Sequence, residues 1–153
     1  MKPFRFTLEA VQTVRNRATN EALEQFARAL KLRANAEHEL ANAEAALRNH
    51  LEEWRGKMTK SFSPGEMVQR EHARTILETQ RNERIKQLRD AAQAADKAQA
   101  LFQFARQKSE VVERFHERQR HEFNLAVLKE EQHLQDDFAG ARREFAQKGF
   151  SHA

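Results

Sequence analysis

Seven histidines and 23 carboxylates make metal chemistry the first question to put to this chain. Glu113 with His116, and Glu130 with His133, have the Glu-x-x-His spacing of carboxylate-bridged di-iron bundles. Such a centre needs its two pairs on different helices, facing each other, with further glutamates pointing inward. Here both pairs fall in one helical stretch, about 25 Å apart by helical rise, so they do not share a centre. His116 and His121 are five residues apart and lie on different faces of a helix. Ser63 sits in a capping context, with no nucleophile elbow, and the chain has neither a Gly-rich phosphate loop nor a His-Glu-x-x-His motif. Arg114, Arg118 and Arg120 are interleaved with Glu113, Glu117 and Glu122, a pattern of intrahelical ion pairs on a solvated face rather than of nucleic-acid binding. The expectation is a non-enzymatic protein with no metal, no cofactor and no nucleic-acid partner.

Composition agrees with that expectation. One third of the 153 residues are charged, with four glycines, two prolines and no tyrosine, the usage of a long-helix protein. Without cysteine there is no disulfide framework and no thiolate chemistry, which suits a reducing cytoplasm. No apolar run approaches the roughly 20 residues that span a bilayer, and no signal peptide is expected behind Lys2 and Arg5. The net charge of +4 is the difference between 27 basic and 23 acidic side chains. Its distribution is uneven: Lys2, Arg5, Arg15 and Arg17 near one terminus, and Arg142, Arg143 and Lys148 near the other, outweigh the acids around them. An acidic protein surface is the natural complement of such an end.

The elements that would position any site are organised around Phe62-Ser63-Pro64-Gly65-Glu66-Met67. Ser63 and Glu66 form a capping box, Pro64 falls at N1, and Phe62 and Met67 are spaced as a hydrophobic staple. The spacing predicts one helical arm over 8–60, a turn over 61–63 and a second arm over 64–148, in a single coiled-coil domain. Two arms joined by so short a turn lie antiparallel, giving an all-α fold of two long helices in a coiled-coil hairpin with the second helix longer.

In the first arm Phe26, Leu40, Leu47 and Trp54 occupy one heptad position, while Ala22, Ala29, Ala36, Ala43 and His50 occupy another. Leu23, Leu30, Leu51 and Met58 widen the stripe. Thr7 is placed to cap this arm, with Phe6 stapled on Val11. Leu8, Val11, Val14 and Ala18 are out of phase, which predicts a stutter. The second seam is expected through Met67, Ile76 or Leu77, Ile85, Leu88, Ala92, Ala95 and Phe102, and again through Val112, Phe115, Phe123, Val127, Leu134, Phe138, Ala141 and Phe145, with a register slip near 102–112. The difference in arm length leaves about 30 residues projecting, carrying Phe123, Val127, Leu128, Leu134, Phe138 and Phe145. An apolar stripe left bare in this way implies a partner or self-association. A second arm that bends back soon after residue 70 would remove the projection, although the sequence has no breaker there.

Several motifs, in this order and at these distances from the termini, resemble the FliJ family of flagellar type III export proteins. They are Phe4-Arg5-Phe6, Leu8-Glu9, Val11 and Arg15, then Arg118 to Arg120, Phe123, Glu131-Gln132 and Asp136-Asp137-Phe138-Ala139. Gln135 departs from the pattern, since members usually carry an apolar residue beside the Asp. The resemblance implies a long antiparallel coiled coil acting as a stalk, similar to the γ subunit of rotary ATPases. Its paired ends would enter the channel of the hexameric export ATPase, with further contacts to the membrane export gate and to export chaperones. On that reading Phe4, Phe6, Leu8, Val11, Leu134, Phe138 and Phe145 are expected to bind the ATPase, and Leu51, Trp54 and Met58 near the turn are offered to the gate. The protein would be a monomer, cytoplasmic and peripheral to the inner membrane, serving flagellum biogenesis and, through it, chemotaxis. The equivalent stalk of a virulence-type secretion system and a self-associating coiled-coil scaffold are the alternatives.

Overall fold

A computed structural model describes the backbone of residues 3–149 and the side chains of residues 3–144. It contains two helices, α1 (Glu9–Lys57) and α2 (Pro64–Gly149), packed as an antiparallel hairpin with α2 the longer. The connection is built as its residues dictate. The Ser63 Oγ accepts from the Glu66 amide at 3.3 Å, and the Glu66 carboxylate accepts from the Ser63 amide at 3.1 Å. These reciprocal bonds satisfy N–H groups that a helix start leaves without intrahelical partners. The first arm ends slightly before Lys60, with Arg55 and Lys57 in its last turn where the helix dipole favours cations. The Met58 amide still reaches the Trp54 carbonyl at 3.0 Å.

The start of α1 differs from the expected cap. The Leu8 carbonyl accepts the first helical bond, from the Gln12 amide at 2.9 Å, so Leu8 rather than Thr7 stands at the N-cap. The Thr7 hydroxyl instead faces Gln119 at 3.5 Å, and Phe6 packs on α2. Residues 3–6 precede the helix in irregular backbone.

The chain divides into two compact units, Arg17–Arg106 and the pair Met1–Asn16 with Gln107–Ala153. In the first, the covered heptad positions of α1 are Thr19, Ala22, Phe26, Ala29, Ala36, Leu40, Ala43, Leu47, His50 and Trp54, interrupted only at Arg33, with Ala45 half-buried beside them. Opposite them on α2 lie Arg70, Arg74, Leu77, Arg81, Arg84, Leu88, Ala91, Ala95, Ala98, Phe102 and Ala105. Two helices enclose little, and full burial among the described residues is confined to Leu47 at 7%, Ala95 at 2% and Ser109 at 6% exposure. Phe26 stacks on Phe102 at 6.2 Å. The His50 Nε2–H donates to the Arg70 carbonyl at 3.1 Å, and Arg84 pairs with Glu39 at 3.4 Å.

This seam is more polar than the apolar pattern predicts. Met67, Ile76 and Ile85 are exposed, and arginines 70, 74, 81 and 84 take the seam positions beside them. The alanines of α1 explain the exchange: small side chains leave room for an arginine stem to lie along the partner helix with its head in water. Arg84 lines a groove with Ala43 and Ala46 in this way.

In the other unit the register is equally regular. The covered positions Ser109, Val112, His116, Gln119 and Phe123 follow Phe102 and Ala105 at alternating intervals of three and four, so the slip expected near 102–112 is absent. Nor does α1 stutter. Gln12 and Arg15 hold the seam positions there, while Leu8, Val11 and Val14 stay on the surface. The buried Ser109 hydroxyl donates to Asn16 Oδ1 at 2.7 Å, and in the neighbouring unit the Thr19 hydroxyl donates to the Ala105 carbonyl at 3.2 Å. Polar pairs in a seam fix register at some cost in stability, and here they hold the register where the apolar residues point elsewhere.

Candidate functional site

The surface most suited to a partner lies on α2 within the unit that holds both termini. Up to Phe123 this helix is covered. Phe4 packs against Phe123 with ring centroids 5.4 Å apart and against His116 at 5.7 Å, while Phe6 meets His116 edge-on at 4.6 Å and Phe115 at 6.2 Å. Phe4 and Phe6 are half-buried and alternate with exposed Arg5 and Thr7, so residues 3–7 form a strap with its aromatic side against the helix. Phe123, expected to be bare, is therefore covered. His116, half of one Glu-x-x-His pair, is enclosed by phenylalanine rings, and Glu113, Glu130 and His133 are exposed.

The strap is weakly held. Two half-buried phenylalanines contribute about 1 kcal/mol each, and their ring contacts add about 0.5–1.5 kcal/mol apiece. Ordering five residues costs about 1 kcal/mol per residue. Gain and cost come out within a few kcal/mol of each other.

Past Phe123 the helix continues to Gly149, and from Leu128 to Glu144 every residue is exposed. Leu134 and Phe138 are 57% and 72% exposed and lie one turn apart on one face, with half-buried Val127 two turns before Leu134. Gln135, Phe138, Ala139 and Arg142 border a shallow open groove. Glu130, Glu131, Asp136 and Asp137 precede Arg142 and Arg143, so an acidic stretch gives way to a basic one along the exposed helix. Of the residues expected to bind an ATPase, Phe4 and Phe6 are thus engaged with α2, Leu8 at the N-cap and Val11 in the first turns of α1 are exposed, and Leu134 and Phe138 are exposed on α2. Phe145 belongs to α2, but its side chain lies outside the described residues.

The turn end of the other unit carries a second surface. Leu51 and Trp54 of α1 and Met58 just past its end border one concavity of about 220 Å³ together with Arg55, Glu71 and Arg74. Arg74 is held by Glu71 at 2.6 Å and by Glu78 at 3.9 Å, which keeps a charged rim beside the apolar floor. The three apolar residues named from the sequence border this one concavity, and Glu71 and Arg74, which no reading of α1 alone would find, reach it from α2. Likewise the sequence pattern misses Phe115 and His116 as the bed of the strap, although the Phe-Arg-Phe alternation is the mark of an extended segment with one apolar side. Among the described residues no helix is long and apolar enough to cross a membrane.

No curated protein and no solved structure matched the chain. The family model of the flagellar FliJ protein, by contrast, matches residues 4–149, from the first strap phenylalanine to the last residue of α2. With nearly the whole chain covered, and a two-helix hairpin of unequal arms as its fold, the protein belongs to the flagellar FliJ protein family.

Proposed function

We propose that this protein is a non-enzymatic stalk and coupling factor of flagellar type III protein export, and that the unit carrying its termini inserts into the hexameric export ATPase. One observation carries the reading: Leu128, Leu134 and Phe138 stand exposed on a helix that has outrun its intramolecular cover. A helix end with large apolar residues on one face, bounded by acidic and then basic collars, fits a channel lined by several subunits better than a flat partner. Binding several subunits at once favours assembly of the ring, and an asymmetric helix inside it biases which subunit closes. Leu8 and Val11 add a second apolar patch to this unit. The concavity at Leu51, Trp54 and Met58 is the surface offered to the export gate, with its arginine and glutamate rim giving the contact polarity. Export chaperones are further partners, and association with the inner membrane would come through the gate.

The test is to add the purified protein to the export ATPase and follow hexamer formation and ATP turnover. Stimulation of both is expected. Replacing Leu134 and Phe138 by serine should remove most of it while leaving circular dichroism unchanged. Absence of binding by the native chain would falsify the stalk reading. A dimer that persists on dilution would instead favour a self-associating scaffold.

A further inference from the structure

The aromatic strap and the bare stripe are two ends of one surface. His116, Gln119, Phe123, Val127, Leu134 and Phe138 follow each other along α2 at intervals of three, four, four, seven and four, so they form a single gently turning line on the helix. Phe4 and Phe6 occupy its near end, and its far end is open. The cover is built to come away. Among the described residues, no backbone hydrogen bond ties residues 3–7 to α2. The one side-chain bond, from Gln119 to the Thr7 hydroxyl, is long at 3.5 Å. An open surface hollow bordered by Phe4, Arg5, Glu122 and Phe123 leaves the edge of the strap reachable from solvent. The helix behind it does not depend on it, because α1 starts its own bonding at the Leu8 carbonyl.

The geometry points to a displaceable strap: when the ATPase grips the stripe of α2, its apolar residues replace Phe4 and Phe6 on His116 and Phe123, extending the docking surface toward the hairpin. This rests on the stalk reading for the identity of the partner. It assigns Phe4 and Phe6 the role of competitors for the site, where the family resemblance makes them contacts of the ATPase.

The chain has no cysteine, so introduced thiols report without interference. In the absence of any partner, Phe123→Cys should react with a maleimide at least 5-fold faster once Phe4→Ser and Phe6→Ser are added, with helix content unchanged. An unchanged rate overturns the strap as a cover. A chain carrying Phe4→Cys and Phe123→Cys, joined by a short bismaleimide, should bind the ATPase hexamer at least 10-fold more weakly than the same chain unjoined. The Phe4→Ser, Phe6→Ser chain should bind several-fold more tightly than the native one. Equal affinity of the joined and unjoined chains overturns displacement, and so does weaker binding by the serine variant, which would make both phenylalanines contacts of the ATPase. Failure of the native chain itself to bind marks a failure of the stalk reading and is distinguished by that control.

Discussion

The seam between α1 and the first part of α2 and the bare end of α2 reverse the usual meaning of an apolar residue. In the seam, Ala95 is almost wholly buried, arginines 81 and 84 are half-buried, and the larger Leu23, Leu30, Ile76 and Ile85 are left outside. On the distal helix Leu134 and Phe138 are 57% and 72% exposed. Close approach of two helices selects small side chains, because a large one at a facing position holds the backbones apart. Small side chains therefore let the helices approach around the larger seam residues Phe26, Leu40, Leu47, Leu77, Leu88 and Phe102, while Leu134 and Phe138 are the large apolar residues left available to a partner.

That contrast is broken most strongly at Leu47. Leu47→Ala should cost about 2–3 kcal/mol, the lower end for a buried leucine because the seam is thin, and is read as a fall in thermal midpoint. Overpacking the same seam with Ala95→Leu should cost about 1–3 kcal/mol by forcing the helices apart. If Ala95→Leu proves neutral, the close approach of the two helices is wrong. Ser63→Ala removes one half of the capping box and should cost about 1 kcal/mol, seen first as faster hydrogen exchange in the opening turn of α2. Gly140 lies in the uncovered helix with nothing within 4 Å of an added Cβ. Gly140→Ala should therefore slow local exchange by a factor of about five, equivalent to roughly 1 kcal/mol of helix propensity, without moving the global midpoint. The smallest effect sharpens the comparison from the other side: Leu134→Ser with Phe138→Ser should change stability by less than about 0.5 kcal/mol. A larger loss would mean that these residues are packed in the free protein.

Much of the fold is legible before any coordinates. The capping box at Ser63 and Glu66, the proline at N1 and the lack of a breaker until Gly140 place the turn and both helices within a few residues. The heptad positions from Ala22 to Trp54 give the seam of α1, but the third row expected to widen it, Leu23, Leu30, Leu51 and Met58, is exposed. The second arm is harder to read because arginine stems pass as surface residues in any hydropathy pattern, although facing alanines allow them into the seam. Leu8, Val11 and Val14 look like a displaced seam for the complementary reason: apolar residues are assumed to face inward. Leu134 and Phe138 are legible as a bare stripe, whereas the covering of Phe123 is not.

Helices, caps and heptads are set by residues three or four places apart, so the chain declares them locally and the sequence by itself determined two unequal arms bent once at Ser63. The strap is different in kind. Phe4 meets Phe123 only after the hairpin has formed, and nothing near either residue announces the other. Which stretch of α2 is covered, and where the open stripe begins, was decided by tertiary structure because it depends on contacts between opposite ends of the chain.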